Sequence, residues 1–439
     1  MSRRPDSGLV PRRRPASGPR PEVRYAPGIV EDPFGGFFGE GNGHAPEGSL
    51  LDLSAARRWF DVVGWGVRTR LYHYQQTIRH LGGGRVALGE RAYVMLSSYD
   101  YLGLLGHPEI DAAAIDAVRR YGTGAGGVRL LTGTNALHRE LERDLAAFKG
   151  TEAALTLGSG YAANVGTVAA LFGPRDLVVA DERIHRSLVE GCRVAGVPLR
   201  LFRHNDMDSL RSILEETGRI ARRLVAVEGV YSMDGDVCPL DVVVALKERH
   251  GVFLLVDEAH ALGVLGEGGR GLHERFGLPA SCADLWTGSL SKALPAVGGY
   301  VAGSLPTIIY LQHGMAPYMF SAALAPPSAA AARAALAVLR REPWRVHRLE
   351  ENAAALRRGL SAQGWDIGTS HTALVPVIAG ADVDAYRLAR RLLDEGVFTT
   401  AIVPPAVPSG GARLRLCATA AHTPECLEEA LRAFRAVRP

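Results

Sequence analysis

Two short runs, residues 224–227 and 252–256, are almost wholly apolar, and the stretch 241–250 between them reads as a helix stopped by Gly251. Aliphatic runs this short suit strands buried on both faces. Such strands belong to a parallel sheet with helices on either side. The same alternation extends over about residues 110–320. Leu137, Leu141, Leu145 and Phe148 fall on one helical face, with Thr134 or Asn135 to cap its start and Gly150 its end. Residues 153–157 then read as a strand, followed by the loop Gly158-Ser159-Gly160. The pattern predicts an α/β fold built on a large, doubly wound, mostly parallel sheet.

Around that block the chain changes character. Residues 1–50 are rich in Pro, Gly and Arg and carry no periodicity, so a mostly disordered tail is expected there. Residues 51–110 form an N-terminal arm. Within it, 51–80 reads as a helix with Trp59, Val62, Val63 and Trp65 on its apolar side, ended by Gly82-Gly83-Gly84, and 91–96 as a short strand. The large domain is expected over 111–325. A smaller α+β domain follows over 326–439: a long Ala/Arg/Leu helix, strands at 374–378 and 413–417, and a last helix opened by Thr423-Pro424.

Composition narrows the function. The 439 residues are 47% hydrophobic and 22% charged, which suits a soluble globular protein. The net charge of +4 comes largely from the first twenty residues, where Arg3, Arg4, Arg12, Arg13, Arg14 and Arg20 face only Asp6. The body is therefore near neutral, and a nucleic-acid partner is not expected. No apolar run is long enough to span a bilayer. The most apolar stretch, 322–339, is interrupted by Pro326, Pro327 and Arg333. Cys192, Cys238, Cys282, Cys417 and Cys426 are odd in number and widely spaced, which points to free thiols in a cytoplasmic protein rather than disulfides or a metal site.

The chemistry starts with Val256-Asp257-Glu258-Ala259-His260. It closes a buried strand, so its polar groups emerge at the carboxyl end of the sheet, where open α/β folds bind ligands. The same letters mark a nucleotide-hydrolysing box, but that reading needs a GK[ST] phosphate loop upstream, and the sequence has none. Taken alone, Asp257 could equally be a helix cap. One strand later comes Thr287-Gly288-Ser289-Leu290-Ser291-Lys292, ahead of Gly298-Gly299. A strand-end acid followed by a hydroxyl-rich lysine loop is what pyridoxal-phosphate (PLP) chemistry needs. The carboxylate keeps the pyridine nitrogen protonated, and the lysine amine forms a Schiff base and later moves protons. The string 158–164 joins a strand to a helix and offers its first amides to a phosphate, although a plain tight turn reads the same way. His185, at another strand end, can stack on a pyridine ring. Arg129 and Arg415 are candidates for gripping a carboxylate.

These strings, taken in order, resemble one family. From about Leu96 to about Leu431 the chain is similar to the α-oxoamine synthases, PLP enzymes of the type I aminotransferase fold. The resemblance rests on 98–103, Tyr121-Gly122-Thr123-Gly124 through Arg129 to His138, and Ser159-Gly160-Tyr161. It continues with Asp181 to His185, His204-Asn205-Asp206, 231–236, Asp257 to His260, Ser291-Lys292-Ala293, Phe320-Ser321, Pro404-Pro405 and 413–422. It implies that Lys292 carries the cofactor, Asp257 pairs with the ring nitrogen and His185 stacks on the ring. Ser232 and His260 would bond near the phenolic oxygen. Gly160, Tyr161 and Ser289 would hold the phosphate, with Ser321 reaching it from the partner chain of a homodimer. Arg415 would hold the amino-acid carboxylate, with Tyr99 beside the substrate. The implied reaction condenses a small amino acid (Gly, Ala or Ser) with an acyl-CoA or an acyl carrier protein thioester. It releases CO2 and thiol and leaves an α-amino ketone.

Departures from the family pattern are Ser289 for a frequent threonine, Ala322 for a second hydroxyl, and Ala406 for a threonine. Tyr99 stands where oxononanoate synthases often have asparagine and is more like the serine palmitoyltransferases. Another type I PLP reaction, a transaminase or aldolase, shares the same core and is the alternative. A non-catalytic partner subunit would lack the lysine, and Lys292 is present.

Overall fold

The computed structural model describes residues 32–38, 48, 50–220 and 222–438. The expected tail, 1–50, falls mostly outside them. Within it, 32–38 form a turn whose Phe34 and Phe38 meet Phe60 and Tyr72 edge to face. Aromatic burial against the next helix orders this part of a Pro/Gly-rich segment.

The arm differs from its sequence reading. The helix α1 stops at Ser54–Arg68, and the chain then forms a hairpin of β1 (Arg79–Gly82) and β2 (Arg85–Leu88), followed by β3 (Arg91–Met95). Gly82, Gly83 and Gly84 all have positive φ and make the hairpin turn rather than a helix end. Next come α2 (Pro108–Tyr121), α3 (Ala136–Lys149), β4 (Ala153–Leu157), α4 (Gly160–Leu171) and β5 (Leu177–Asp181). They are followed by α5 (Arg186–Ala195), β6 (Leu199–Phe202), α6 (Met207–Glu216), β7 (Arg223–Glu228), α7 (Leu240–His250) and β8 (Phe253–Asp257). Then α8 (Leu272–Arg275), β9 (Leu285–Ser289), β10 (Gly299–Gly303), α9 (Leu305–Gly314), α10 (Ala316–Met319) and α11 (Pro326–Arg341) follow. The C-terminal part holds α12 (Trp344–Ala362), β11 (Leu374–Gly380), α13 (Asp382–Asp394), β12 (Val397–Phe398), β13 (Ala401–Ile402), β14 (Ala412–Cys417) and α14 (Pro424–Ala436).

Local chemistry sets the ends of these elements. Asn135 caps α3 through a reciprocal box with His138, and Gly150 closes it in the left-handed region. Thr423 caps α14, with Pro424 in its first turn.

The large sheet has the order β4-β10-β9-β8-β7-β5-β6 and is parallel except for β10, which runs antiparallel to both neighbours. Alternation along the buried strands feeds two cores. Val225 and Val227 enter one, with α2, α3 and α11, while Leu224 and Ala226 enter the other, with α4 and α5. Each such buried valine or leucine contributes about 1.5–3 kcal/mol. The alanines of α11 sit in the first core, packed across α2 and α3. A third core joins α12, α13 and α14 to the three-stranded sheet β11-β14-β13, and β12 pairs in parallel with β3 of the arm. The small sheet meets the large domain where Arg413 and Arg415 of β14 bond the turn that follows β7.

Candidate active site

The parallel strands carry their polar residues to one edge. In register, Asp257 ends β8 between Glu228 of β7 and Thr287 of β9. Successive residues point to opposite sides, so Asp257 and Glu258 diverge. Glu258 turns into the core, where it pairs with the buried Lys149 and accepts the Leu272 amide at 2.7 Å. Lys149 also lies 3.7 Å from the Trp286 ring centroid. Asp257 turns the other way. Its Oδ1 accepts the Ala259 amide at 2.9 Å, and its Oδ2 accepts Asn164 Nδ2 at 2.7 Å.

Asn164 also donates to Ser187 Oγ at 2.9 Å, and Ser187 Oγ lies 2.7 Å from His185 Nδ1. The Ser187 amide donates to the same Nδ1. An amide can only donate, so Nδ1 is an acceptor and the neutral ring carries its proton on Nε2. Desolvation of its protein-facing side pushes His185 below the usual histidine range. Lys292 adds to this, and Asp257 opposes it.

Lys292 hangs beyond β9 from the loop in which Ser289 and Ser291 hydroxyls meet at 2.7 Å. Its Nζ is 5.8 Å from the Tyr99 ring centroid. Burial lowers its pKa. Asp257 and Glu228 work against that shift, while Arg415 adds to it. Tyr99 also carries the Arg415 guanidinium, 4.8 Å from its ring centroid, and its hydroxyl accepts from Arg415. His260 packs edge-on against Tyr99 at 5.7 Å, and its Nδ1 bonds Tyr101 Oη at 2.7 Å. Full burial holds His260 well below its usual pKa, so it is neutral. Arg415 donates to the Ser232 carbonyl at 3.4 Å, and among the described residues no carboxylate pairs with it.

The class I and II aminotransferase family model matches residues 91–434. The chain is 44% identical over 354 residues to the 8-amino-7-oxononanoate synthase of Symbiobacterium thermophilum, covering 80% of this chain and 90% of that one. A second such synthase, from Geobacter sulfurreducens, is 44% identical over 366 residues, covering 83% and 93%. Serine palmitoyltransferase from S. paucimobilis, solved with a bound PLP–myriocin adduct, superposes with TM-score 0.85 at 32% identity, covering 88% of this chain and 98% of that one. The chain belongs to the α-oxoamine synthases.

The donor set of this α-oxoamine synthase fits PLP. Ser159 caps α4 by taking the Ala162 amide, and its carbonyl takes the Ala163 amide. The Gly160 and Tyr161 amides, in the first turn, have no acceptor among the described residues, which makes an anion cradle. A Cβ at Gly160 would stand 3.1 Å from the Gly288 carbonyl and 3.3 Å from Ser289 Cβ, so glycine keeps the cradle open beside the Ser289 hydroxyl. The lysine amine, the strand-end carboxylate and the exposed flat ring of His185 complete the set.

Other expected residues lie apart. Ser321 sits on an exposed segment after Phe320, itself 80% exposed, and makes no hydrogen bond to the Lys292 cluster of its own chain among the described residues. The Tyr161 side chain also faces outward, which leaves only its amide for an anion.

Arg129 is a correction. It is buried, grips Glu142 in a bidentate pair at 2.7 and 3.0 Å, and donates to Thr156 Oγ1. A guanidinium with its carboxylate already supplied by the fold has no free fork for a substrate.

Sequence reasoning gave no role to Asn164, Ser187 or Glu228. Asn164 lay inside the quoted string 158–164 and Ser187 two residues beyond His185, but a buried Asn–Ser–His relay has no spacing signature. Glu228 ends a strand as Asp257 does, and that shared position was the available signal. Burial, and then the charge of Asp257, push its carboxyl well above the usual range.

Proposed function

We propose that this chain condenses a small amino acid with an acyl thioester, releasing CO2 and thiol to leave an α-amino ketone, and that its amino acid is alanine. The observation that carries this reading is the meeting of Lys292, Tyr99 and Arg415 beside Asp257. Alanine is supported by the relatives. The product in their name, 8-amino-7-oxononanoate, ends in a methyl group, an amine-bearing carbon and a ketone. Alanine leaves that pattern when its carboxyl goes as CO2 and its α-carbon takes an acyl group. Overlap with serine palmitoyltransferase at TM-score 0.85, together with Tyr99, supports serine with a long-chain acyl thioester as the second reading.

PLP, when bound, supplies an electron-withdrawing ring that takes up the electron pair released at the α-carbon. The chain's own residues do the rest. Arg415 holds the amino-acid carboxylate through a planar fork that no internal carboxylate occupies. Lys292, made less basic by burial, takes the α-proton and returns one after CO2 leaves. Asp257, fixed by Asn164 and the Ala259 amide, holds a proton on the ring nitrogen. His185 would cover the ring face, and Ser232 and His260 would bond near the phenolic oxygen. Gly160, Tyr161 and Ser289 would hold the phosphate. The enzyme works as a cytoplasmic homodimer in which the partner subunit's Ser321 completes that phosphate site. The free thiols of all five cysteines and the exposed Phe320 beside Ser321 support this. No helix among the described residues is long and apolar enough to cross a membrane.

The test is thiol release from acyl-CoA and acyl carrier protein thioesters, dicarboxylic or long-chain, offered with Gly, Ala or Ser. Release with alanine and a dicarboxylic acyl thioester is expected. Conversion of amino acid to keto acid with no thioester present, and no thiol release from any pair, overturns the reading in favour of a transaminase.

A further inference from the structure

His204 lies between two buried carboxylates. Its Nδ1 is 2.9 Å from Asp181 Oδ1 and its Nε2 is 2.7 Å from Asp236 Oδ2. Asp181 already accepts the Arg183 amide at 2.8 Å and the Asn205 amide at 2.9 Å, so its oxygens act as acceptors. Asp236 Oδ2 also accepts from the Asn205 side chain at 3.5 Å and from Thr369 Oγ1 at 3.4 Å. A neutral imidazole has one N–H and one lone pair, so it would leave one nitrogen facing an oxygen lone pair to lone pair. With both carboxylates ionised, as the donors they already accept from favour, only the imidazolium donates to both.

What the imidazolium ties together bears on the site. Asp181 ends β5 of the large sheet. Asp236 belongs to the turn 231–237, closed by Tyr231 and Gly235 backbone bonds. Gly235, at φ +70°, presses against the Leu374 carbonyl of β11, and its own carbonyl accepts from His371 N at 3.0 Å and Thr372 Oγ1 at 2.9 Å. Both arginines of β14 dock on this turn. Arg413 bonds the Met233 carbonyl at 3.1 Å and Asp234 at 2.7 Å, and Arg415 bonds the Ser232 carbonyl at 3.4 Å.

We propose that His204 is a positioning residue: as an imidazolium clamped by Asp181 and Asp236, it fixes the turn 231–237 and thereby sets Arg415 for the amino-acid carboxylate. The inference rests on Arg415 being that carboxylate's ligand. The other titratable groups facing His204 are Tyr231, whose ring it meets edge-on at 4.5 Å, and Glu182, which accepts the His204 amide at 3.2 Å. Cys238 lies beyond the two aspartates. Burial works against the charge, and the bonds to Asp181 and Asp236 outweigh it, holding His204 up at about 9.

The experiment compares His204→Gln, Asp236→Asn and Arg415→Lys with the wild-type holoenzyme. The readouts are KM and kcat against pH, calorimetric binding of the amino acid without acyl donor, and Tm. His204→Gln should raise the amino-acid KM and Kd about tenfold with kcat nearly kept. In the wild type, the KM should rise as pH passes about 9. Asp236→Asn should lose that alkaline rise, because asparagine can donate to a neutral Nε2 and keep the clamp closed. An Asp236→Asn profile superimposable on wild type overturns the proposal, as does an unchanged KM in a folded His204→Gln. An unchanged KM and Kd in Arg415→Lys overturns the carboxylate reading instead.

Discussion

Asn164 is buried at 3% exposure, and its one amide nitrogen serves two groups, Asp257 at 2.7 Å and, on the way to His185, Ser187 at 2.9 Å. Replacing it with alanine removes a charge-assisted bond to a carboxylate that is itself only 4% exposed. Bonds of that kind are worth about 1.5–3 kcal/mol, which corresponds to about tenfold to a hundredfold in an equilibrium or rate. The loss falls on Asp257 first. Its buried oxygen, short of a donor, holds its charge less readily and pairs less well with a protonated ring nitrogen. Ser187 is then free to turn from His185 Nδ1. Asn164→Ala should therefore weaken PLP binding about tenfold and lower kcat about tenfold or more.

The aspartate variant separates chemistry from packing. Asn164→Asp keeps the shape and sets an acceptor 2.7 Å from Asp257 Oδ2. Two carboxylates that close cannot both ionise, so one takes a proton and the pair no longer presents a dependable anion. The isosteric change should thus be worse than the truncation, by about another tenfold in kcat. PLP rebinding to apoprotein, followed by fluorescence quenching, and thiol release measure the two quantities, with Tm as the check on folding. If Asn164→Asp binds PLP and turns over better than Asn164→Ala, the donor role is wrong and the residue merely fills space.

Lys292→Ala should abolish thiol release with little change in Tm, and borohydride reduction after PLP addition should label no peptide. Arg129→Ala leaves Glu142 buried without its partner, so chemical denaturation should show a loss of about 3–5 kcal/mol while the amino-acid KM of the folded fraction stays the same. Gly235→Ala puts a Cβ against the Leu374 carbonyl at φ +70° and should cost more than about 2 kcal/mol while raising the amino-acid KM. His204 has a pKa raised from 6.5 to about 9, so its contribution is whole below 6.5 and fades as pH rises through about 9. Wild-type Tm should accordingly fall across that window, and a His204→Gln protein should lack that component of the fall.

The buried strands were legible because their pattern is one-dimensional: residues 224–227 and 252–256 could be little else, and β7 extends the first run by one residue at each end while β8 is the second shifted by one. Asp257 was legible as a strand end, and Lys292 as the loop after the next strand. The glycine triplet 82–84 was misread because positive φ serves helix ends and hairpins alike. The pairing of β12 with β3 joins residues about three hundred apart, and no local pattern encodes it. The Asn164–Ser187–His185 relay and the Asp181–His204–Asp236 clamp are products of sheet order, since β5 and β7 must lie side by side before their ends can share a proton.

Arg129 and Arg415 show where a sequence reading stops. Both are arginines near the site, both are at most 9% exposed, and the letters around them offered each for a carboxylate. The fold separates them by what it provides. Arg129 has Glu142 and Thr156 on its fork, with Tyr318 under its plane at 5.0 Å, so its charge is spent inside the protein. Arg415 has a phenol, a carbonyl at 3.4 Å and the Met233 sulfur, and among the described residues no anion. A buried guanidinium without a counter-charge is costly to maintain. A substrate carboxylate relieves that cost, which makes the open fork of Arg415 a binding feature and the closed fork of Arg129 a structural one.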